Sequence, residues 1–286
     1  MIMRSIGGPP GLRGHMVLPS RLQAWTPALV TVHGISRNAG SHARAFASAA
    51  ATEGWLIVAP QFDARGFRGY QRLAGSGPGP GRVRADLALD ALLERVADAT
   101  GVDTRRFMLF GFSGGAQFAH RYAMLQPGRV SALVLGAAGW YTFPCQRLRF
   151  PHGLRCPPGG GACIEPGPAL SIPTLVMVGT RDLQRDAALN CSPCIDARQG
   201  RNRLERARRW VDAMRRAAQE RGIGAHFELR LMADCGHSFE CCVERGDMHR
   251  ASVAFLAARA GCRADVADPL AARAGCRTDV ADPLAA

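Results

Sequence analysis

Apolar and polar positions along this chain follow two rhythms. Compact apolar runs stand at residues 28–32, 55–59, 106–110, 130–136, 174–178 and 225–232. Their short length and their content of β-branched and aromatic residues predict strands, buried where the run is unbroken. Between them, residues 41–53, 82–99, 116–125, 203–220 and 247–260 place apolar side chains at helical spacing and predict helices. Gly54 and Gly222 fall where two of these helices should stop. Strands alternating with helices imply a parallel sheet covered on both faces, an α/β architecture. In such sheets the functional groups gather beyond the carboxyl ends of the strands.

Three stretches break the rhythm. Residues 61–81 form a loop rich in glycine and proline, and residues 140–170 hold three cysteines, six prolines and Gly159-Gly160-Gly161. The second reads as an irregular insertion above the sheet. At the end, ARAGCRADVADPLA (258–271) recurs as ARAGCRTDVADPLA (272–285), with Ala264 replaced by Thr278. Near-identity over so short a period suggests a tandem duplication rather than a repeat architecture, and its terminal position and low apolar content predict disorder. The expected plan is an N-terminal extension over 1–14, one domain over 15–260, and the repeated tail over 258–286.

Composition narrows the function classes. With 286 residues, 47% of them hydrophobic and 21% charged, the chain has the make-up of a globular α/β domain. No apolar run has the ~18–20 residues of a membrane helix, so no membrane partner is expected. The first ten residues contain no apolar core of a leader peptide, which makes the cytoplasm the expected location. The formal charge of +13 raises the question of nucleic acid. However, every basic residue is arginine, the arginines are scattered, and the densest run, 201–216, has the spacing of a solvated helix face. No nucleic-acid partner is expected. Ten cysteines include Cys191-Ser-Pro-Cys194, whose spacing suits a redox pair, half a zinc site or a small disulfide. A second such pair is missing, so reduced thiols are the first reading and neither metal nor cofactor is expected.

The chemistry-bearing motif is Gly111-Phe112-Ser113-Gly114-Gly115, set between the strand at 106–110 and the helix at 116–125. A turn this tight leaves no room for side chains at Gly111 and Gly115, and it lifts the serine hydroxyl above the sheet. A serine needs a base to become a nucleophile, and the base needs an orienting group. His237, after the last strand, is the best-placed histidine, because a loop there can return over the sheet. Asp182 follows the strand at 174–178 through a glycine turn and is the expected orienting acid, with Asp186 in reserve. Backbone N–H groups of Gly114 and Ile35 are the expected donors to a developing oxyanion. Phe62, Phe112, Trp140 and Tyr141 are candidates to line an acyl pocket.

Taken together, Val32-His33-Gly34, the GFSGG turn, Gly179-Thr-Arg-Asp182 and Gly236-His237 resemble the α/β-hydrolase superfamily over about residues 15–260. Residues 101–106 resemble its polyhydroxybutyrate depolymerase and feruloyl esterase branch, also seen in prolyl-oligopeptidase-like enzymes. The resemblance implies an α/β-hydrolase fold with little or no helical lid. It further implies a serine esterase acting on a small-molecule ester without metal or cofactor. A serine peptidase using the same three side chains is the alternative within enzymes, and a non-catalytic ligand-binding protein the alternative outside them. The cysteine-bearing insertion and Cys235 beside His237 depart from the pattern.

Overall fold

The computed structural model describes residues 2–73, 83–157 and 163–260. The tail repeat, apart from the residues up to 260, and Gly159-Gly160-Gly161 lie outside the described residues. The chain opens with β1 (Ile2–Gly7), β2 (Leu12–Leu18) and β3 (Ala28–Val32), then α1 (Ala39–Ala45), α2 (Ala47–Thr52) and β4 (Leu56–Phe62). There follow α3 (Ala85–Thr100), β5 (Phe107–Phe112), α4 (Gly114–Leu125) and β6 (Val130–Gly136). The last third holds α5 (Pro166–Leu170), β7 (Thr174–Gly179), α6 (Pro193–Gln199), α7 (Arg203–Gln219), β8 (Phe227–Met232), α8 (Phe239–Glu244) and α9 (Met248–Ala260).

The eight strands form one sheet in the order β1-β2-β4-β3-β5-β6-β7-β8. Pairings from β4 to β8 are parallel, while β1 with β2 and β2 with β4 are antiparallel. Every residue of β3, β5 and β7 is buried, as expected of central parallel strands covered on both faces. Alternation along β5 divides the core. Phe107 and Leu109 join Leu92, Phe118 and Trp210 under α3, α4 and α7. Met108 and Phe110 join Ala43, Phe46 and Leu256 under α1 and α9.

Three expectations change. Residues 1–14 are not an extension: β1 and the start of β2 lie there, and a boundary at residue 15 cuts through β2. The arginines of 201–216 are not all solvated. Arg206 is fully buried, its guanidinium donating to the carbonyls of Gly139, Asn190 and Gly200 and to Asp196, and Arg203 is equally enclosed. The described part of the 140–170 segment is anchored to α4 and α7, and none of its described residues lines the cleft at Ser113. His120 pins it, accepting from the Thr142 N–H at 2.9 Å through Nε2 while Nδ1 faces the Ala116 carbonyl at 2.8 Å.

Candidate active site

β5 enters α4 through Ser113, whose φ of 54° and ψ of −112° lie where a residue with a β-carbon is rarely found. Holding it there costs on the order of 1–3 kcal/mol, so the surroundings must over-determine it. They do. The Ser113 N–H donates to the Gly136 carbonyl at 2.7 Å, and the Gln117 N–H donates to the Ser113 carbonyl at 3.1 Å. A β-carbon at Gly111 would stand 2.2 Å from the Gly115 carbonyl oxygen, and one at Gly115 would stand 2.0 Å from that of Val32. The glycine spacing therefore has a steric cause on both sides of the serine.

The loops after β7 and β8 are knitted together by their backbones. Thr180 N–H donates to Met232 O and Arg181 N–H to Cys235 O, each at 2.9 Å. This brings Asp182 and His237 within reach of Ser113. The Ser113 hydroxyl lies 2.9 Å from His237 Nε2, and His237 Nδ1 lies 2.8 Å from Asp182 Oδ2. A carboxylate accepts only, so Nδ1 carries the proton and Nε2 is left to accept from the serine. The Asp182 side chain has no exposed surface, and that of His237 retains 17%. Behind Asp182, Arg203 donates to Oδ1 at 3.3 Å and reaches Asp186 at 3.1 Å. Asp186, the reserve acid, thus sits on the far side of a buried guanidinium and does not touch His237.

Opposite the histidine, the loop after β3 is held from beneath. Tyr70 donates its hydroxyl to the His33 carbonyl at 2.8 Å. Arg37 donates to the carbonyls of Phe62 at 2.5 Å and Phe67 at 3.1 Å. His33 accepts from the Phe62 N–H at 3.1 Å through Nε2, which leaves Nδ1 as donor to the Gly34 carbonyl at 2.7 Å. Ile35 N lies 3.5 Å from where a β-carbon on Gly114 would be, so the two residues are close neighbours beside Ser113. Neither N–H has a protein acceptor among the described residues.

Burial drives the His33 imidazole down from its ordinary 6.5 to about 4, because charging it there would strip the ion of water. The unfolded chain then binds a proton that the folded chain refuses. Stability is full above about 6.5 and falls as the pH drops toward 4, by ~3 kcal/mol at most from this residue. His42 and His120, also depressed by burial, act in the same direction. Urea unfolding at pH 7.5 and pH 4.5 should show a lower midpoint at the acidic value. His33→Gln should flatten part of that difference.

A cleft of about 300 Å³ opens above Ser113, lined by Ile35, Asn38, Phe112, His237, Phe239 and Glu240 among others. A hollow of about 520 Å³ formed by β1, β2 and α2 touches none of these residues. Of the four expected pocket aromatics only Phe112 lines the cleft. Phe62 and Tyr141 are fully buried, the first against Tyr70 and the second against Trp210. Trp140 lies under the Arg121 guanidinium and beside His152. Following a strand is no guarantee of facing the cleft, because the same side chains also cap the core. Tyr70, Arg203, Asn38 and Glu240 carry no local sequence signal, since each acts on a partner distant in the chain.

The eight described cysteines are free. Among the described residues no group of three or more His, Cys, Asp or Glu side chains is placed to hold a metal ion. No described helix is long and apolar enough to cross a membrane.

No protein-family model and no curated protein matches the chain by sequence. Solved structures do match. Poly(aspartic acid) hydrolase-1 from Sphingomonas sp. KT-1 is 25% identical, with a TM-score of 0.73 over 88% of this chain and 97% of that one. The poly(3-hydroxybutyrate) depolymerase of Bordetella parapertussis is also 25% identical at a TM-score of 0.73, over 89% of each chain. An S-formylglutathione hydrolase from Agrobacterium tumefaciens, at 13% identity and a TM-score of 0.59, covers 91% of this chain and 94% of its own. The mostly parallel sheet and these likenesses agree, and the chain has the α/β-hydrolase fold.

Proposed function

We infer that this protein is a serine hydrolase that cleaves carboxylic esters through an acyl-enzyme on Ser113. The observation that carries the reading is the unbroken chain from the Ser113 hydroxyl through His237 to the enclosed Asp182. In the proposed reaction Ser113 Oγ bonds to the ester carbonyl carbon while His237 Nε2 takes the hydroxyl proton. Asp182 stabilises the imidazolium, and the carbonyl oxygen gathers charge between the Gly114 and Ile35 N–H groups. Collapse breaks the carbon–alkoxy bond, with His237 returning the proton to the departing alcohol. Water then repeats the sequence on the acyl-enzyme and frees the acid and Ser113. The solved poly(3-hydroxybutyrate) depolymerase, alike over most of its length, supports ester cleavage.

Amide cleavage is the second reading, favoured by the equal likeness to a poly(aspartic acid) hydrolase. The two are separated by incubating the protein with short-chain p-nitrophenyl esters and with aminoacyl p-nitroanilides. Ester turnover together with labelling of Ser113 by a fluorophosphonate probe is expected. Anilide turnover exceeding ester turnover would transfer the protein to the amide reading. Failure of both substrates and of labelling would reject the acyl-enzyme.

A further inference from the structure

The chain has 36 basic residues, all arginine, and a net charge of +13, yet among the described residues no arginine lines the cleft above Ser113. Among the described lining residues, Glu240 supplies the one carboxylate. Arg37, next to the lining residue Ser36, has its guanidinium directed onto the Phe62 and Phe67 carbonyls and the Tyr70 ring. Arg181, on the loop that carries Asp182, is paired with Asp234 at 2.8 Å. Both guanidinium groups on the loops beside the cleft are thus engaged by other partners.

Glu240 is also fixed. Asn38 Nδ2 donates to Oε1 at 3.2 Å and the Ser238 hydroxyl to Oε2 at 3.3 Å. One wall of this bridge follows the loop that carries Ile35, the other the loop that carries His237. The side chain sits in the first turn of α8, next to Ser238, whose hydroxyl also caps the helix by accepting from the Cys241 N–H at 3.2 Å. Two bonds use only part of what a carboxylate can accept, so further acceptor capacity remains for a bound molecule.

We propose that Glu240 is a specificity determinant, selecting substrates that bear an ammonium group or another hydrogen-bond donor near the scissile carbonyl and rejecting those that bear a carboxylate there. The proposal rests on acyl transfer at Ser113 and names the substrate class of that site. A carboxylate attracts a cation about as strongly as it repels an anion at the same distance. In a water-exposed cleft the two effects together amount to about tenfold between otherwise matched molecules. Both weaken as salt rises.

The experiment uses three p-nitrophenyl esters of similar acyl length, one ending in trimethylammonium, one in methyl and one in carboxylate. The cationic ester should exceed the anionic one about tenfold in kcat/KM, and the ratio should shrink in ~0.5 M NaCl. In Glu240→Gln the cationic-to-anionic ratio should fall to within about twofold of unity, with the methyl ester as reference in each protein. Equal wild-type rates on the charged esters, or a ratio unmoved by the substitution, overturn the proposal. Matched non-hydrolysable amides titrated into Ser113→Ala separate the two levels of the argument. A preference for the cationic amide with no turnover of any ester sustains the Glu240 proposal while the esterase reading falls. Equal binding of the charged amides overturns the Glu240 proposal whatever the kinetics.

Discussion

Ser113→Ala is expected to abolish ester turnover, with kcat falling by ~10⁴-fold or more, while the protein stays folded. The substitution removes one oxygen and keeps the β-carbon, so the backbone at φ 54° feels the same steric constraint before and after. The lost hydroxyl had one side-chain partner, His237 Nε2 at 2.9 Å. His237 keeps contact with solvent and its bond to Asp182, so no buried polar group is stranded and the urea midpoint should hardly move. The loss should be non-additive. Once Ser113 is gone, His237→Ala has no nucleophile to serve, and the double variant should be scarcely slower than the single one. Retained esterase activity in pure Ser113→Ala protein would remove the acyl-enzyme mechanism altogether. Steady-state rates with p-nitrophenyl acetate, backed by thermal melts, are sufficient to decide.

What was legible in the sequence was local. The turn around Ser113 shows itself because Gly111 and Gly115 are demanded within five residues, by a chain that doubles back on its own backbone. Strands such as β5 and β7 show themselves because both faces are covered, leaving Thr174 at the start of β7 as their one polar side chain. Ser113, Asp182 and His237 come together because each ends the turn after a parallel strand, and parallel strands deliver their carboxyl ends to one edge. The missed features depend on distant partners. β1 and β2 lie in the antiparallel part of the sheet, where Met3 and Arg4 are exposed and glycine, arginine and histidine interrupt β2. Arg203 sits in a run of arginines that reads as a polar helix face, and the approach of Asp182 and Asp186 makes its burial tolerable. Asn38 and Glu240 are separated by 202 positions. The cleft aromatics failed for a related reason: period and spacing locate a residue on a strand end, but not on which side of the cleft floor it lies.

Gly115→Ala is expected to cost more stability than any single change at the surface, on the order of 3–5 kcal/mol, and to reduce the soluble yield. The added β-carbon would meet the Val32 carbonyl oxygen at 2.0 Å and the His33 carbonyl oxygen at 2.6 Å. Both are backbone atoms, so no side-chain rotation relieves the overlap. α4 or the end of β3 must move. Either shift has a functional price, since the carbonyls of Val32 and His33 lead directly into Gly34 and Ile35, while Gly115 adjoins Gly114. Separating the helix from the strand parts the two N–H groups proposed to hold the oxyanion. The folded fraction should therefore react with a fluorophosphonate at least ~10²-fold more slowly, the cost of losing one such donor. Gly224→Ala is the control: a β-carbon there meets nothing within 4 Å, and its midpoint should stay within ~0.5 kcal/mol of the parent or rise slightly. Urea midpoints and labelling rates of the two variants together test whether close approach, rather than glycine's flexibility, is what the turn requires. Equal stability of both alanine variants would mean that α4 and β3 are not in the contact described.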